Sequence, residues 1–197
     1  MKIIRSLALV LLLFLFASCS MAEDVLTGAQ PNWLIANLGT ADAPDYCKIA
    51  EIQTPDGFVL ADGVTGLNPE LYYAPEDKES PVRFVYYTTG NGDCLALAHA
   101  AAENYSAFYD EFEPGVIEES SLGDRSCVRF AYTCAYPGPD RTTIVYEQTL
   151  LCYFPLEGDA FVAMILSQAF DAAEEYLSRD DLLAQSDLFT NAIIWEQ

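Results

Sequence analysis

The sequence predicts an α+β domain in which one antiparallel sheet of about six or seven strands is covered by helices. Three observations predict it: short apolar runs recur between turn residues, one segment follows the helical period, and 52% of the 197 residues are hydrophobic, enough to bury a core. Aromatic residues make up 13% of the chain, which excludes a disordered chain despite the formal net charge of −21. We expect a single domain over residues 46–197.

The first strands are predicted between residues 48 and 89. Residues 48–53 alternate apolar and polar side chains, and the turn residues at 54–57 follow them before a second short apolar run. Residues 70–74 and 82–89 are rich in strand formers, and the charged segment 75–81 between them is typical of a turn. These two runs therefore predict a β-hairpin.

The one clear helical pattern begins after Asp93, an acceptable N-cap residue. Apolar residues follow the period of a helix at positions 94, 97, 98, 101, 105, 108 and 112. Pro114 and Gly115 are expected to end this helix.

The last part of the sequence predicts a meander followed by helices. Four successive strands are expected, at residues 116–119, 127–136, 142–154 and 161–167. The turns between them are short, and only antiparallel neighbours fit such connections. Residues 171–178 and 181–194 favour helices, the second with Leu182, Leu183, Phe189 and Ile193 directed toward the sheet.

The N-terminal segment is typical of an export signal. Lys2 and Arg5 precede an apolar run at residues 7–17 that is too short to span a membrane, and residues 15–19 resemble the lipobox that ends in the acylated cysteine of bacterial lipoproteins. We therefore expect a signal peptide at residues 1–19 and a lipid anchor on Cys19. The alternative is ordinary cleavage after Ala22, which would release a secreted or periplasmic protein.

Residues 20–45 are expected to form a tether, since they lack sustained periodicity. A short segment around residues 33–35 is the one part of it expected to dock on the domain. The acidic charge repels nucleic acid and anionic lipid, and we interpret it as a solubilising surface, with a surface that binds a cation or a basic partner as the alternative. The sequence gives no reason to expect a cofactor, and it leaves the oligomeric state open.

Five cysteines follow Cys19, and in an exported chain they are disulfide candidates. Cys127 and Cys152 are expected to become cross-strand neighbours when the meander folds back. Cys134 differs from Cys127 by an odd number of residues, so it should point to the opposite face. Cys47 with Cys94 is the remaining pair. A zinc site is not expected, because the chain has one histidine and no Cys-x-x-Cys pair.

No catalytic constellation is visible. His99 lies five residues after Cys94 in the predicted helix, where residues three or four apart are neighbours, so these two side chains are poorly placed to act as a base and nucleophile. Carboxylates could cage a cation or act as an acid and base in pairs. The candidate pairs, which we interpret as surface charge, are Glu118 with Glu119, Glu174 with Glu175, and Asp180 with Asp181.

Tyrosines are frequent in the predicted strands. They are Tyr72, Tyr73, Tyr86, Tyr87, Tyr132, Tyr136, Tyr146 and Tyr153. Consecutive tyrosines must present one ring to each face of a sheet. The rings are expected either to pack beneath helices or to form an aromatic surface that binds a glycan, a peptide or a partner protein.

The predicted order of elements resembles the PsbP-like or Mog1-like fold, an α/β/α sandwich. Residues 54–58 are similar to the P-x-G-W turn of that group, with Phe58 in place of tryptophan. Residues 116–132 are similar to its strand, glycine turn and strand, and residues 187–194 to its closing helix. The resemblance implies a fold and an accessory or binding role, with no catalytic residues to carry over.

The sequence therefore favours a non-catalytic lipoprotein of the bacterial cell envelope that binds a protein, peptide or glycan partner. An exported hydrolase that uses paired carboxylates is the alternative from a different class. A concave pocket that holds two carboxylates in environments with opposed effects on their pKa values would favour the enzyme, and a flat aromatic patch would favour binding.

Overall fold

The computed structural model describes residues 25–26, 28–63, 70–77, 80, 82–138, 142–170 and 179–196. Two antiparallel sheets and two longer helices make up this part of the chain. The strands are β1 (Trp33–Asn37), β2 (Tyr46–Ile52), β3 (Phe58–Gly63), β4 (Glu70–Pro75), β5 (Val82–Asn91), β6 (Glu111–Leu122), β7 (Arg125–Pro137), β8 (Ile144–Pro155), β9 (Ala160–Phe170) and β10 (Ile193–Trp195). The helices are α1 (Cys94–Phe108) and α2 (Arg179–Thr190).

The main sheet has seven strands in the order β3-β4-β5-β9-β8-β7-β6, and every neighbouring pair is antiparallel. Its strand number and its α+β class confirm the prediction. The hairpin β4–β5 and the meander β6–β9 are also where the sequence pattern placed them, although β6, β7 and β9 are longer than predicted.

The two faces of this sheet carry different cores because side chains alternate along each strand. On β8, Leu150, Cys152 and Phe154 belong to the larger core, while Leu151 belongs to the smaller one. Helix α1 covers the smaller core through Cys94 and neighbouring side chains. The larger core lies beneath the three-stranded sheet and α2. The layer that covers the larger core therefore consists of a small sheet together with α2. The predicted α/β/α sandwich has only helices in this layer.

The three-stranded sheet has the order β1-β2-β10 and was not predicted. Its first strand lies inside the expected tether, so the folded region begins well before residue 46. Leu34, Ile35 and Ala36 of β1 are all buried. Thr89 of β5 fixes this strand to the main sheet, because its hydroxyl donates a 2.8 Å hydrogen bond to the Ile35 carbonyl oxygen.

Helix α1 begins as predicted. The backbone N–H of Ala96 donates to Oδ1 of the N-cap Asp93 at 2.7 Å. The helix ends at Phe108 rather than near residue 112, and the following residues enter β6. Pro114 therefore does not end the helix but lies in β6, where the register shifts between Pro114 and Ile117.

The C-terminal element differs from the predicted helix over residues 181–194. Helix α2 ends at Thr190, and Ile193 then pairs with Ile52 as part of β10. Phe189 and Ile193 are four residues apart, a spacing that fits one face of a helix. Ile193 nevertheless lies in a strand, because it pairs with β2. Residues 171–178, which also favoured a helix, lie outside the described residues.

The signal peptide and Cys19 also lie outside the described residues. Within the described part, neither helix combines the length and the apolar content that a membrane crossing needs.

Candidate partner-binding groove at the end of helix α1

A groove of about 590 Å³ opens where helix α1 ends against the edge of strands β7 and β8. Its lining residues are Phe108, Tyr109, Asp110, Glu111, Ala135, Tyr136, Pro137 and Ile144. The Phe108 side chain is 79% exposed and that of Ile144 is 43% exposed. Two large apolar side chains are therefore exposed in the lining of one concavity, which makes this groove a candidate binding surface.

Four tyrosines pack together beneath this groove, and we call them the tyrosine cluster: Tyr105, Tyr109, Tyr132 and Tyr136. The ring centroids of Tyr105 and Tyr132 are 4.7 Å apart, and those of Tyr109 and Tyr136 are 5.7 Å apart. Tyr105 and Tyr109 are one helical turn apart, while Tyr132 and Tyr136 lie on the same face of β7. The end of the helix and the strand thus build one aromatic layer.

Glu147 of β8 is a buried carboxylate at the base of the tyrosine cluster, with only 7% exposure. The Tyr136 hydroxyl donates to its Oε2 at 2.8 Å, and the Thr149 hydroxyl donates to its Oε1 at 2.9 Å. Both oxygens therefore accept a hydrogen bond, which compensates for the burial of the charge.

Arg83 lies on β5, and its side chain extends past the intervening strand β9 to the Glu147 carboxylate on β8. The register of β5 against β9 shifts between Val82 and Phe84, and this irregularity contains Arg83. Its Nη1 donates to the Tyr136 hydroxyl oxygen at 2.5 Å and lies 3.6 Å from Glu147 Oε2. A half-exposed guanidinium thus neutralises the buried charge.

The groups around Glu147 hold their protons strongly. Burial raises the pKa of Tyr109 to about 12, and the nearby Glu147 carboxylate adds to the rise. Burial and the same carboxylate raise the pKa of Cys134 to about 12. Burial likewise raises the pKa of Tyr105, Tyr132 and Tyr136 above the usual range. At neutral pH these tyrosines are uncharged rings with hydroxyls that donate or accept hydrogen bonds.

Such an arrangement suits the binding of a ligand. Phe108, Tyr109, Pro137 and Ile144 offer apolar contact, and the few polar groups give orientation. Rings that are already packed against one another lose little entropy when a ligand covers them.

The structure places the other predicted site residues elsewhere. His99 lies exposed on α1. Glu118 pairs with Arg129, whose Nε lies 3.0 Å from its Oε1, while its neighbour Glu119 is exposed. Glu174 and Glu175 lie outside the described residues, as do the side chains of Asp180 and Asp181. Within the described ranges, no three histidine, cysteine or acidic side chains converge as metal ligands would.

No disulfide joins the five described cysteines. The structure does bring Cys127 and Cys152 together: the register pairs Arg129 with Cys152, so Cys127 is its diagonal neighbour on the same face. A hydrogen bond links the two thiols, and together with burial it raises the pKa of Cys152. Cys134 belongs to the opposite core, as predicted.

The structure does not bring Cys47 and Cys94 together, the other pair that the sequence offered. Cys47 lies on β2 and packs against the larger core, while Cys94 belongs to the smaller core beneath α1. The main sheet separates these two cores, so their sulfurs cannot meet.

The strand tyrosines divide as predicted between the faces. Tyr73 and Tyr87 are fully buried, and their neighbours Tyr72 and Tyr86 are only half-buried. Tyr132 and Tyr136 belong to the groove region, but the sequence did not single out Tyr105, Tyr109, Phe108 or Glu147. A signal for Glu147 existed: it occupies a position of β8 whose face otherwise carries Thr149, Leu151 and Tyr153.

A second concave region lies around Trp195. Grooves of about 570 and 440 Å³ share Arg125, Trp195 and Glu196 in their linings. The Arg125 guanidinium lies 4.4 Å from the centre of the Trp195 ring. Lys48 lies beside the larger groove, 3.1 Å from Glu51 and 2.6 Å from Glu196. In this second region, Lys48 and Arg125 of the protein itself provide the positive charges.

No protein-family model matches the chain, and no curated protein matches its sequence. Among solved structures, the chain is similar to LpqN, a protein of Mycobacterium tuberculosis involved in cell envelope biogenesis. The similarity covers 89% of this chain and 94% of LpqN, with 14% sequence identity and a TM-score of 0.40. At these values the comparison assigns no function.

Proposed function

We propose that the protein is a cell-envelope lipoprotein whose domain is a non-catalytic binding or accessory module for a protein, peptide or glycan. The observation that carries this proposal is the groove at the end of α1, where Phe108 and Ile144 are exposed beside the tyrosine cluster. Exposed rings at the mouth of a concavity are typical of surfaces that bind partners.

The chemistry beneath the groove supports binding rather than catalysis. A general base must be reachable by the substrate proton, but Glu147 is buried and its oxygens are held by the hydroxyls of Tyr136 and Thr149. The neighbouring phenols have raised pKa values, so they do not supply a nucleophile near neutral pH. The tyrosine cluster therefore serves to maintain the shape of the groove.

The proposed cellular location of the protein rests on the first residues of its sequence. Lys2 and Arg5, the apolar run at 7–17 and the cysteine at position 19 together favour export and lipid attachment. A lipid anchor would leave the domain at the membrane surface, where a binding module meets other envelope components. The resemblance to the PsbP-like or Mog1-like group is part of the same proposal, supported by the order of hairpin, helix, meander and terminal helix.

The proposal is tested by photo-crosslinking in living cells. A photoreactive phenylalanine analogue replaces Phe108 in one strain and Leu95 in a control strain. Leu95 is a suitable control because it is 39% exposed and lies at the other end of the same helix. We expect a discrete crosslinked product from position 108 that position 95 does not give. The same products from both positions, or none from position 108, would contradict the groove as the binding surface.

A further inference from the structure

The groove at the end of α1 is negatively charged as well as aromatic. Among the described residues that line it are Asp110 and Glu111, and none of those described residues is basic. The C-terminus of α1 also faces it, and a helix C-terminus carries a partial negative charge. The last turn of α1 contains no basic residue that would compensate for that charge. Among the described residues, Arg83 lies near the groove, and its guanidinium contacts Glu147 and Tyr136 beneath it.

The surroundings of Lys48 show how this protein binds one of its own cationic side chains. Lys48 Nζ lies 4.4 Å from the centre of the Trp33 ring and close to the carboxylates of Glu51 and Glu196. A ring together with two carboxylates is thus a place where this fold accommodates a cation. The groove repeats that combination with the exposed ring of Phe108, the half-buried rings of Tyr109 and Tyr136, and the carboxylates of Asp110 and Glu111, and the lining residues that the structure describes include no cation.

We infer that the occupant of the groove is a peptide segment of a partner protein that bears lysine or arginine side chains. This inference rests on the proposed function, since it names the partner of the same groove. The cationic group would lie against the rings of Phe108, Tyr109 and Tyr136 between the carboxylates of Asp110 and Glu111. Apolar residues of the segment would contact Ile144 and Pro137.

The size and the charge of the protein favour a peptide over the other occupants. A volume of about 590 Å³ exceeds the space that one ammonium group needs and leaves room for the adjoining residues of a chain. The formal net charge of −21 attracts a basic segment over a long range and repels an anionic glycan or lipid surface. An uncharged glycan would gain nothing from the two carboxylates as charges.

The test is a binding titration with the mature protein, purified from membranes in detergent. The probe is a short dye-labelled peptide that carries several lysines among leucines and alanines, and fluorescence anisotropy reports its binding. Three comparison probes are the same peptide with glutamine for lysine, the same peptide with glutamate for lysine, and an uncharged soluble oligosaccharide. We expect the lysine peptide to bind most tightly.

Matched variants distinguish the groove from the general charge of the protein. Asp110→Asn with Glu111→Gln is compared with Glu157→Gln and Asp159→Asn, which change the charge equally at the far end of β8. Strand length places that control roughly 36 Å from Ile144. We expect the groove pair to weaken binding of the lysine peptide about fivefold to tenfold, and the control pair much less. We expect Phe108→Ala to weaken it about threefold, and Leu95→Ala to leave it unchanged.

Three results would overturn the inference. Equal weakening by the two carboxylate pairs would show that the peptide senses only the overall charge. Tighter binding of the glutamine peptide or the oligosaccharide, lost in Phe108→Ala, would contradict a basic occupant and leave the proposed function standing. If Phe108→Ala changed the binding of no probe, the proposed function would fail together with the inference.

Discussion

Tyr136 donates a 2.8 Å hydrogen bond to Oε2 of Glu147, the buried carboxylate of the neighbouring strand. The same hydroxyl accepts from Arg83, so one phenol links β5, β7 and β8 across the face that α1 covers. Because the tyrosine cluster packs on this link, the shape of the groove depends on it. The first prediction concerns this hydroxyl.

The Tyr136→Phe variant keeps the ring and removes the hydroxyl. Glu147 then loses one donor in a buried setting, and Arg83 loses its acceptor, so we expect unfolding to become easier by about 1–2 kcal/mol. Urea denaturation followed by circular dichroism measures this change. Tyr72→Phe is the control, since the Tyr72 hydroxyl makes no hydrogen bond among the described residues, and it should shift stability by less than about 0.5 kcal/mol. Equal stabilities of the two variants would contradict the role of the link.

The Leu34→Ala variant tests whether β1 belongs to the folded domain. Leu34 has no exposed surface, and truncating a fully buried leucine costs about 2–5 kcal/mol. We expect a loss in that range in the same urea measurement. A tether would tolerate the change, so a stability equal to that of the unaltered protein would show that residues 33–37 do not fold with the rest.

Alkaline pH should destabilise the protein through its tyrosines. The pKa of Tyr109 is about 12 in the folded state, and an exposed tyrosine in the unfolded chain has a pKa near about 10. Between these values the unfolded chain loses protons that the folded protein keeps, so the free energy of unfolding falls as pH rises. The stabilisation is complete below about pH 10 and is lost as pH approaches about 12. Urea titrations across this interval measure it.

Tyr109→Phe provides the control for the alkaline prediction. Without that phenol, the fall in stability above about pH 10 should be smaller, because one raised pKa has been removed. An identical pH dependence in both proteins would mean that Tyr109 does not contribute.

The thiols of Cys127 and Cys152 should be the pair that oxidises. They are in contact on one face, whereas Cys47 and Cys94 lie in separate cores. We propose one disulfide between Cys127 and Cys152 in the exported protein, formed during folding while both sulfurs are still accessible. Peptide mapping without reduction should find this bridge, and the double variant Cys127→Ala with Cys152→Ala should abolish it. A bridge that involves Cys47 or Cys94 instead would contradict the register of β7 and β8.

Local patterns predicted the elements whose signals lie within a single segment. The start of α1 follows from Asp93, and the hairpin β4–β5 and the meander follow from alternating apolar residues between turn residues. Docking of the segment around residues 33–35 was predicted, but strand β1 was not, because five residues beside an irregular segment resemble a linker until β2 pairs with them. Strand β10 was missed because the spacing of Phe189 and Ile193 also suits a helix.

The groove was harder to predict for a physical reason. Tyr105 fitted the apolar face of the predicted helix and Tyr109 did not, and only the end of α1 at Phe108 places Tyr109 against Tyr136. The contact between Arg83 and Glu147 depends on an irregularity in β5, which no spacing in the sequence indicates.

The central claim is that a folded binding domain stands outside the cytoplasm on a lipid anchor, and the intact mass of the protein extracted from membranes tests it most directly. The account predicts a chain that begins at Cys19, carries the added mass of acyl groups, and gains the mass of two hydrogen atoms on reduction of one disulfide. Recovery from the cytosol of a full-length chain that begins at Met1, with every thiol reduced, would contradict it.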